Sequence, residues 1–240
     1  MYCYFVFNIY SMKKILAIIF SLCLFNNYLL AQKEKPITVK AGRDVKEYFT
    51  TDVRYRYQEF LPGKAVFKNG IFSEAKFNYN LLNDEIEFLK LNDTLSVINK
   101  KDITYIVIET DTFLYDNGFI EIISDGPVKV GMKKHFKLNE IQKTDSYGTS
   151  SHGSARESYN SMPADGNFYK LKASNDMVFQ KTTEYYIAKS YSDFIPFRRN
   201  YVTRLFPEKS AEIKKYLKSN KIDFDSESDL LKLAGYLRSL

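Results

Sequence analysis

The chain contains no tryptophan, and only two cysteines and two histidines occur among its 240 residues. Both cysteines, Cys3 and Cys23, lie within the first 31 residues, so a chain that loses this segment has no thiol and forms no disulfide. Two histidines without cysteines are too few for a tetrahedral zinc site. We therefore expect no metal and no cofactor, and a fold that is stabilised by packing alone.

The chain also lacks a strong excess of either charge. Lys and Arg number 35 and Asp and Glu number 29, which gives a net charge of +6. This excess falls well short of that of a nucleic-acid-binding protein, so we expect no nucleic acid among the partners. Aromatic side chains, by contrast, are abundant: 19 Tyr and 19 Phe supply the mass of a hydrophobic core.

Residues 12–31 have the three parts of an export signal. Two lysines begin the segment, an uninterrupted apolar run extends from Ile15 to Phe25, and the segment ends on Ala31. The run is too short to span a bilayer comfortably, and a small final residue is what signal peptidase requires. The sequence therefore predicts cleavage before Gln32. With cleavage, we expect the protein in the periplasm or on the periplasmic side of the outer membrane of a Gram-negative bacterium.

Residues 1–11 carry no charge, which is unlike the start of a signal peptide, so Met12 is the predicted start of translation. The alternative is a signal anchor in which Tyr2–Leu30 stays in the membrane. Asn26 and Asn27 argue against it, because their amide groups would need hydrogen-bond partners in lipid.

Residues 64–138 are predicted to form an antiparallel β meander. Short apolar runs alternate with turn signals such as Asn69-Gly70 and Ser124-Asp125-Gly126. Within the runs, apolar and polar residues alternate with period two, which predicts one buried and one solvated face. Ile103–Ile108 is apolar on nearly every residue and predicts a central strand that is covered on both sides. About seven or eight strands fit here, which is enough for a barrel or a sandwich.

The period changes to three and four after residue 190. Val202 and Leu205 belong to a first predicted helix, Pro207 begins a second, and Ser226 with Asp229 predicts the amino-terminal cap of a third. No Pro- or Gly-rich linker precedes these helices, so we expect them to pack on the same unit. The predicted fold class is mainly β, an antiparallel meander forming a barrel or a sandwich, followed by a short C-terminal helical segment.

The predicted organisation has four parts. They are a signal peptide (1–31), an amino-terminal extension (32–63), a β-rich domain with a long polar loop at 139–166 (64–190) and the C-terminal helices (191–240). Two further strands, Phe168–Lys172 and Val178–Tyr186, are expected after the loop.

Several segments carry a family resemblance. They are FLPGKAVFKNG (60–70), FNYN (77–80), EIEF (85–88), YGTSS (147–151) and KTTEYY (181–186). Together with the closing helices, they resemble an uncharacterised family of exported, signal-peptide-bearing proteins of Bacteroidota. The resemblance covers nearly the whole mature chain. It implies export and a single evolutionary unit, and it implies no catalytic residues, because the family has no established activity.

The two histidines are the first candidates for chemistry. His135 shares its strand parity with Lys133 and Lys137, which predicts an exposed position on the solvated face. His152 lies in Gly148–Ser158, which gathers hydroxyl groups, an imidazole, a guanidinium and a carboxylate, a composition that a hydrolase could use. The segment does not match G-x-S-x-G, because position 152 is His where Gly is required, so a mobile loop is the favoured interpretation.

Acidic residues form two patterns that invite a functional interpretation. Glu85 and Glu87 are two apart on a strand, and we expect both on its polar side, where they would have no special role. Asp223 and the acidic residues after it fail the calcium-loop pattern, because the positions that require Gly and Glu hold Ser228 and Ala234. We expect these carboxylates to stabilise the start of the last helix instead.

The strongest charge feature is a basic stretch in the C-terminal helices. Between positions 198 and 221 it holds eight basic residues against Glu208 and Glu212. The basic residues are Arg198, Arg199, Arg204, Lys209, Lys214, Lys215, Lys218 and Lys221. Such a concentration could bind an unknown envelope protein or an anionic membrane surface. The alternative is that these residues form only the solvent-exposed face of two amphipathic helices and bind no partner, and this alternative stays open.

No catalytic constellation stands out, so the leading functional hypothesis is a non-enzymatic cell-envelope protein that binds a partner of unknown identity. The first alternative is a β-barrel carrier of a lipid or glycan ligand, and the second is a hydrolase centred on the His152 loop. An apolar cavity would favour the carrier, whereas a carboxylate and a serine within hydrogen-bond reach of His152 would favour the hydrolase.

Overall fold

The structure is a computed structural model that describes residues 35–91, 93–144, 150–154 and 168–240, with side chains described outside 142–144 and 150–154. The predicted export signal lies outside the described residues. Within the described residues, no helix is both long enough and apolar enough to cross a membrane.

Within the part of the chain that the structure describes, twelve strands form one antiparallel sheet. They are β1 (Ile37–Val39), β2 (Leu61–Phe67), β3 (Phe72–Asn80), β4 (Glu85–Lys90), β5 (Asp93–Ser96), β6 (Ile103–Ile108), β7 (Asp111–Tyr115), β8 (Phe119–Ser124), β9 (Lys129–Thr144), β10 (Ser150–Ser154), β11 (Asp176–Ala188) and β12 (Ile195–Pro196). The order across the sheet is β1-β11-β9-β8-β7-β6-β2-β3-β4-β5, with β10 beside β9 and β12 beside β11. The predicted mainly-β meander is confirmed. The sheet is not closed into a barrel, because β1 and β5 lie at opposite ends of this order.

Three helices of the described residues follow the sheet, as the sequence predicts, and one short helix precedes β2. They are α1 (Thr51–Arg54), α2 (Arg199–Leu205), α3 (Ser210–Asn220) and α4 (Glu227–Arg238), with 3-10 turns at Val45–Glu47, Lys100–Asp102, Phe168–Lys170 and Pro207–Lys209. Ser226 does precede α4, but its side chain makes no capping hydrogen bond. Asp229 Oδ2 instead accepts a hydrogen bond of 3.1 Å from the backbone N–H of Asp223, which fastens the α3–α4 connection.

The predicted strand Phe168–Lys172 is wrong, because Phe168–Lys170 forms a 3-10 turn. Leu171 donates its backbone N–H to the carbonyl of Phe168 at 3.0 Å. Phe168, Tyr169 and Leu171 all pack against the core, and three apolar residues within four positions do not fit the period of a strand with one wet face.

Strand β9 is longer than its polarity indicates. It continues to Thr144, and β10 at Ser150–Ser154 pairs with it, so residues 139–144 and 150–154 of the predicted 139–166 loop are strand. Backbone hydrogen bonds to β11 and β10 support the polar residues here, and a register shift opposite Val178 and Phe179 absorbs Asn139. Residues 145–149 and 155–167 lie outside the described residues.

The predicted amino-terminal extension is part of the sheet and its core. Ile37–Val39 pairs with β11, and the side chains of Val39, Val45 and Phe49 are fully buried. The Phe49 ring meets the rings of Phe136 and Phe179 edge-on, with centroids 4.9 and 5.1 Å away. This segment therefore supplies a central part of the hydrophobic interior.

Buried apolar residues form two clusters. We call the first cluster the sheet core. It is formed by residues of β1–β4, β6–β9 and β11 and of the segments beside these strands. Its members include Phe49, Phe77, Ile86, Ile106, Phe113 and Phe179. The second, the helix core, joins β9 and β11 to the helices and includes Val130, Ile187, Phe197, Val202, Ile213, Leu217 and Leu233. The helices therefore pack on strands of the same sheet that encloses the first cluster.

Strand β6 is central in the sheet, but only one of its faces is covered. Ile106 and Ile108 are fully buried, whereas Thr104 is exposed and Tyr105 is half-buried. The prediction of two covered faces is therefore wrong. On the second face, Tyr105 lines an open groove on the outside of the sheet instead.

Candidate functional site

An apolar groove of 560 Å³ lies over one face of β2 to β5, where the sheet core reaches the surface. Its lining comes from those strands and from the segment that connects β5 to β6. The lining residues are Ala65, Phe67, Ser73, Glu74, Ala75, Phe77, Phe88, Leu89, Lys90, Leu95, Val97, Ile98, Asn99 and Ile103. We call this feature the β2–β5 groove.

The register of the strands explains why this space is empty. Phe77, Phe88 and Leu95 stand directly opposite one another on β3, β4 and β5, so their large side chains form one wall on a common face. Further along the same face of the sheet, Ala65 stands opposite Ser73. Because these small side chains do not fill the volume beside the wall, the pairing of large with small residues creates the groove.

One glycine brings the wall of the groove close to the sheet. Gly63 on β2 has no side chain, and a Cβ there would lie 2.8 Å from the Phe77 ring and 2.4 Å from the carbonyl oxygen of Val107. Any larger residue would push the Phe77 ring outwards. Gly63 therefore fixes the position of an aromatic side chain that lines the β2–β5 groove.

The groove has a buried floor and an exposed rim. Ala65, Phe77 and Ile103 are at most 4% exposed, whereas Leu95 is 40% and Ile98 is 76% exposed. A ligand in the groove would cover the rim without moving the floor. The groove is therefore a preformed site in which both the buried floor and the exposed rim are apolar.

Exposed apolar residues concentrate near this groove. Among the described residues, five of the seven large apolar side chains that are exposed lie between positions 71 and 98. They are Ile71, Phe72, Leu91, Leu95 and Ile98. Single exposed apolar residues are ordinary on a protein surface, but a concentration in one region indicates a binding surface.

Two charged residues line the groove. Lys90 follows Phe88 by two positions on β4, so it lies on the groove face, where it forms no ion pair with any described residue. Glu74 alternates with Ser73 and Ala75 and stands opposite Lys64, on the other side of the strand. Asp93 on β5 stands directly opposite Lys90, but the two side chains form no ion pair, so the Lys90 ammonium is available to a ligand in the groove.

A second cluster of polar groups anchors the segment that leads into β2. Tyr55 donates its hydroxyl hydrogen to Glu87 Oε2, and Asn80 Nδ2 donates to Glu87 Oε1 at 2.7 Å. Glu87 is only 8% exposed, so the expectation that it lies on a solvated face is wrong. Burial and the hydrogen bond to Glu87 raise the pKa of Tyr55 well above its usual value. Both carboxylate oxygens are occupied by structural partners, which argues against an acid or base role for Glu87.

Two neighbouring tyrosines follow the same pattern. Tyr57 donates to Asp111 Oδ2 at 2.6 Å, and Tyr79 donates to Asp84 Oδ1 at 2.5 Å. Burial is the main cause that raises the pKa of each hydroxyl, so both stay protonated donors at neutral pH. Asp84 also pairs with Lys133 at 2.6 Å. These contacts connect the segment before β2 and the β3–β4 loop to strands of the sheet.

His135 is half-buried, so the prediction of an exposed histidine is wrong. Its Nε2 lies 4.0 Å from Glu184 Oε2, and its Nδ1 is buried without a hydrogen-bond partner among the described residues. Burial lowers the pKa of His135, Asp84 and Glu184 oppose this effect, and Lys133 and Lys137 add to it. The loop between β3 and β4 covers this face of β9, which period two alone could not reveal.

The side chain of His152 lies outside the described residues. The backbone at position 152 belongs to β10 and stands opposite position 142 on β9. The hydrolase hypothesis therefore stays a prediction. Within the described part of the chain, no group of three His, Cys, Asp or Glu residues could hold a metal ion.

The eight predicted basic residues separate into engaged and free side chains. Arg198 donates to the carbonyl of Phe224 at 2.8 Å and pairs with Asp225 at 3.2 Å, which links α2 to the segment before α4. Lys209 pairs with Glu212 at 3.3 Å. Arg204 lies over the ring of Tyr201, 5.7 Å from its centroid. The remaining five are exposed and form no ion pair within the described residues: Arg199, Lys214, Lys215, Lys218 and Lys221.

The sequence did not single out the β2–β5 groove. Its signal is the placement of Ala65, Ser73 and Ala75 at period two beside Phe67 and Phe77, a pattern of small against large residues on one face. The sequence does not reveal the strand pairing that brings these positions together, so the groove could not be predicted from this pattern.

Comparisons with known proteins give no match, whether the chain is compared with protein-family models, with curated proteins or with solved structures. The resemblance to exported proteins of Bacteroidota therefore stays a prediction, and function must be argued from the geometry of the chain.

Proposed function

We propose that the protein is a non-enzymatic, exported binding protein that holds the acyl chain of an anionic lipid in the β2–β5 groove. The observation that carries this proposal is a preformed groove of 560 Å³ whose lining is mostly apolar. Small-molecule sites in proteins range from about 300 to 1,000 Å³ and are lined mainly by apolar side chains with a few polar groups. The groove has these properties.

The lining favours a lipid over a glycan. A sugar needs several hydrogen-bond partners, because burying an unpaired hydroxyl costs about 1–3 kcal/mol. Ten of the fourteen lining residues are apolar, and the uncharged polar lining consists of Ser73 and Asn99. A hydrocarbon chain needs no such partners, so it matches the groove better.

Lys90 indicates the charge of the headgroup. The lysine lies on the groove face at the exposed end of β4, beside the hydrophobic rim. A carboxylate or phosphate attached to the acyl chain would reach this cation while the chain stays on the apolar floor. The ion pair would be solvent-exposed and would add about 0–1 kcal/mol, so it would tune selectivity more than affinity.

The expected affinity follows from the area that the groove can cover. Burying about eight methylene groups at about 0.8 kcal/mol each stabilises a complex by about 6 kcal/mol. That free energy corresponds to a dissociation constant on the order of 10 µM. Longer chains should bind more tightly until they exceed the groove.

Filling the groove tests the proposal. The variant Ala75→Phe places a ring in the empty volume, so binding of a fluorescent fatty acid to the purified protein should weaken at least tenfold. Thr104→Phe, an equally large substitution at an exposed strand position outside the groove, is the matched control and should bind like the parent protein. Equal binding by the parent and Ala75→Phe would contradict a ligand in this groove.

A charge reversal separates the two parts of the ligand. Lys90→Glu should weaken binding of a fatty acid about tenfold and leave binding of the corresponding fatty alcohol unchanged, since the alcohol has no charge. Lys76→Glu, on an adjacent strand but at an exposed position away from the groove lining, is the control. If Lys90→Glu affected acid and alcohol equally, Lys90 would have no role in headgroup selection.

A further inference from the structure

Five exposed basic side chains lie on α2, on α3 and at the residue that ends α3, and none forms an ion pair within the described residues; we call this set the lysine surface. It consists of Arg199, Lys214, Lys215, Lys218 and Lys221. Arg198, Lys209 and Arg204 belong to the same basic stretch but are not part of this surface, because the side chain of each contacts a neighbouring residue. The surface is separate from the β2–β5 groove, with which it shares no residue.

Packing of α3 holds the lysines outwards. Ile213 and Leu217 are fully buried in the helix core, which fixes the rotation of the helix. Lys214 and Lys218 are four residues apart, and Lys221 follows at the helix end, so the three lie along one exposed line. Lys215 lies next to this line. The positions are therefore set by the fold, and the charges cannot turn towards the interior.

The lysine surface is electrostatically unfavourable in isolation. Like charges four residues apart on a helix repel, and no acidic side chain among the described residues pairs with any of these five cations. A partner of opposite charge would relieve this repulsion. The exposed ring of Tyr201 on α2 adds an amphipathic group of the kind that is enriched at membrane interfaces.

We propose that the lysine surface binds the face of an anionic lipid bilayer. A cluster of four to eight basic residues is the number typical of electrostatic attachment to anionic lipids. Long, flexible lysines on an exposed helix suit a mobile array of headgroups, whereas recognition of a protein usually involves a buried apolar anchor. This inference goes beyond the proposed function, because a protein can carry a lipid without attaching to a membrane.

The test uses flotation of the purified protein with two kinds of vesicle. One kind contains phosphatidylcholine alone, and the other contains phosphatidylcholine and phosphatidylglycerol in a ratio of three to one. The protein should float with the anionic vesicles only. Binding should weaken between 50 and 500 mM salt, because exposed charges are screened over about 8 Å at physiological ionic strength. Equal binding to both kinds of vesicle would contradict the proposal.

A matched pair of charge reversals locates the surface. The triple variant K214E/K215E/K218E should lower the partition coefficient on anionic vesicles about 100-fold, given the contribution of each basic residue near such a surface. The control K46E/K170E/K172E reverses three exposed lysines elsewhere and changes the net charge equally, so it should float like the parent. Replacing Lys214, Lys215 and Lys218 by Arg should preserve flotation, since charge is retained.

Further outcomes would overturn the inference. If both triple variants lost flotation equally, net charge and not the lysine surface would be responsible. If the parent floated only with native envelope vesicles, and protease treatment of those vesicles abolished it, the partner would be an acidic protein. Fatty-acid binding by K214E/K215E/K218E should match the parent, which keeps failure of this inference separate from failure of the proposed groove.

Discussion

Replacement of Phe49 tests whether the segment before β2 belongs to the fold. The sequence alone predicts that residues 32–63 are an extension, whereas the structure buries Phe49 completely between two other aromatic rings. The two descriptions predict different stabilities for Phe49→Ala. An extension would tolerate the change, but a core residue would leave a cavity.

The size of the effect follows from the contacts of the ring. Truncating a buried Phe to Ala typically costs about 3–5 kcal/mol, since the loss of apolar burial and the cavity add together. The two edge-to-face contacts, with Phe136 and Phe179, each contribute about 0.5–1.5 kcal/mol beyond burial and place this site in the upper part of that range. For a domain of this size, 4 kcal/mol corresponds to a fall in Tm of about 8–16 °C.

Urea unfolding followed by circular dichroism measures this loss. Phe49→Ala should lower the unfolding midpoint strongly at an unchanged m value. Ile71→Ala is the control, because Ile71 is 63% exposed and its truncation should cost no more than about 0.5 kcal/mol. A cost below about 1 kcal/mol for Phe49→Ala would refute the assignment of this segment to the core.

Two further predictions concern pH and export. Burial lowers the pKa of His135 in the folded protein below the ordinary value of about 6.5, so the folded state binds fewer protons than the unfolded state and stability should fall as the pH drops below about 6.5. His135→Gln should flatten the stability curve between pH 7 and 5, and an unchanged slope would show that other groups cause it. The export signal predicts that intact mass spectrometry of periplasmic protein gives the mass of Gln32–Leu240; retention of residues 12–31 would contradict cleavage.

The sequence pattern predicted the architecture correctly wherever the spacing of apolar residues was typical of only one kind of secondary structure. Period-two alternation and turn residues located the meander, and the change to spacing of three and four located α2, α3 and α4, because both signals arise from the geometry of single elements. Polar strand residues gave no such signal. The end of β9 is polar, and its backbone pairing to β10 and β11 depends on residues distant in sequence.

The candidate site depended on information that a sequence does not contain. Alternation indicates which residues share a face, but it cannot show that a loop covers the second face, as happens at Glu87 and His135. The β2–β5 groove needs the register that aligns Phe77, Phe88 and Leu95. The basic stretch was visible in the sequence, yet only the contacts of Arg198, Arg204 and Lys209 in the structure separate these engaged side chains from the free cations.

The central claim is that the β2–β5 groove holds an acyl chain, and a calorimetric titration with a medium-chain fatty acid tests it most directly. The parent protein should bind one molecule with a dissociation constant on the order of 10 µM and a negative heat-capacity change. Ala75→Phe should abolish the signal while Thr104→Phe preserves it. Undetectable binding to the parent, or full binding to Ala75→Phe, would contradict the claim.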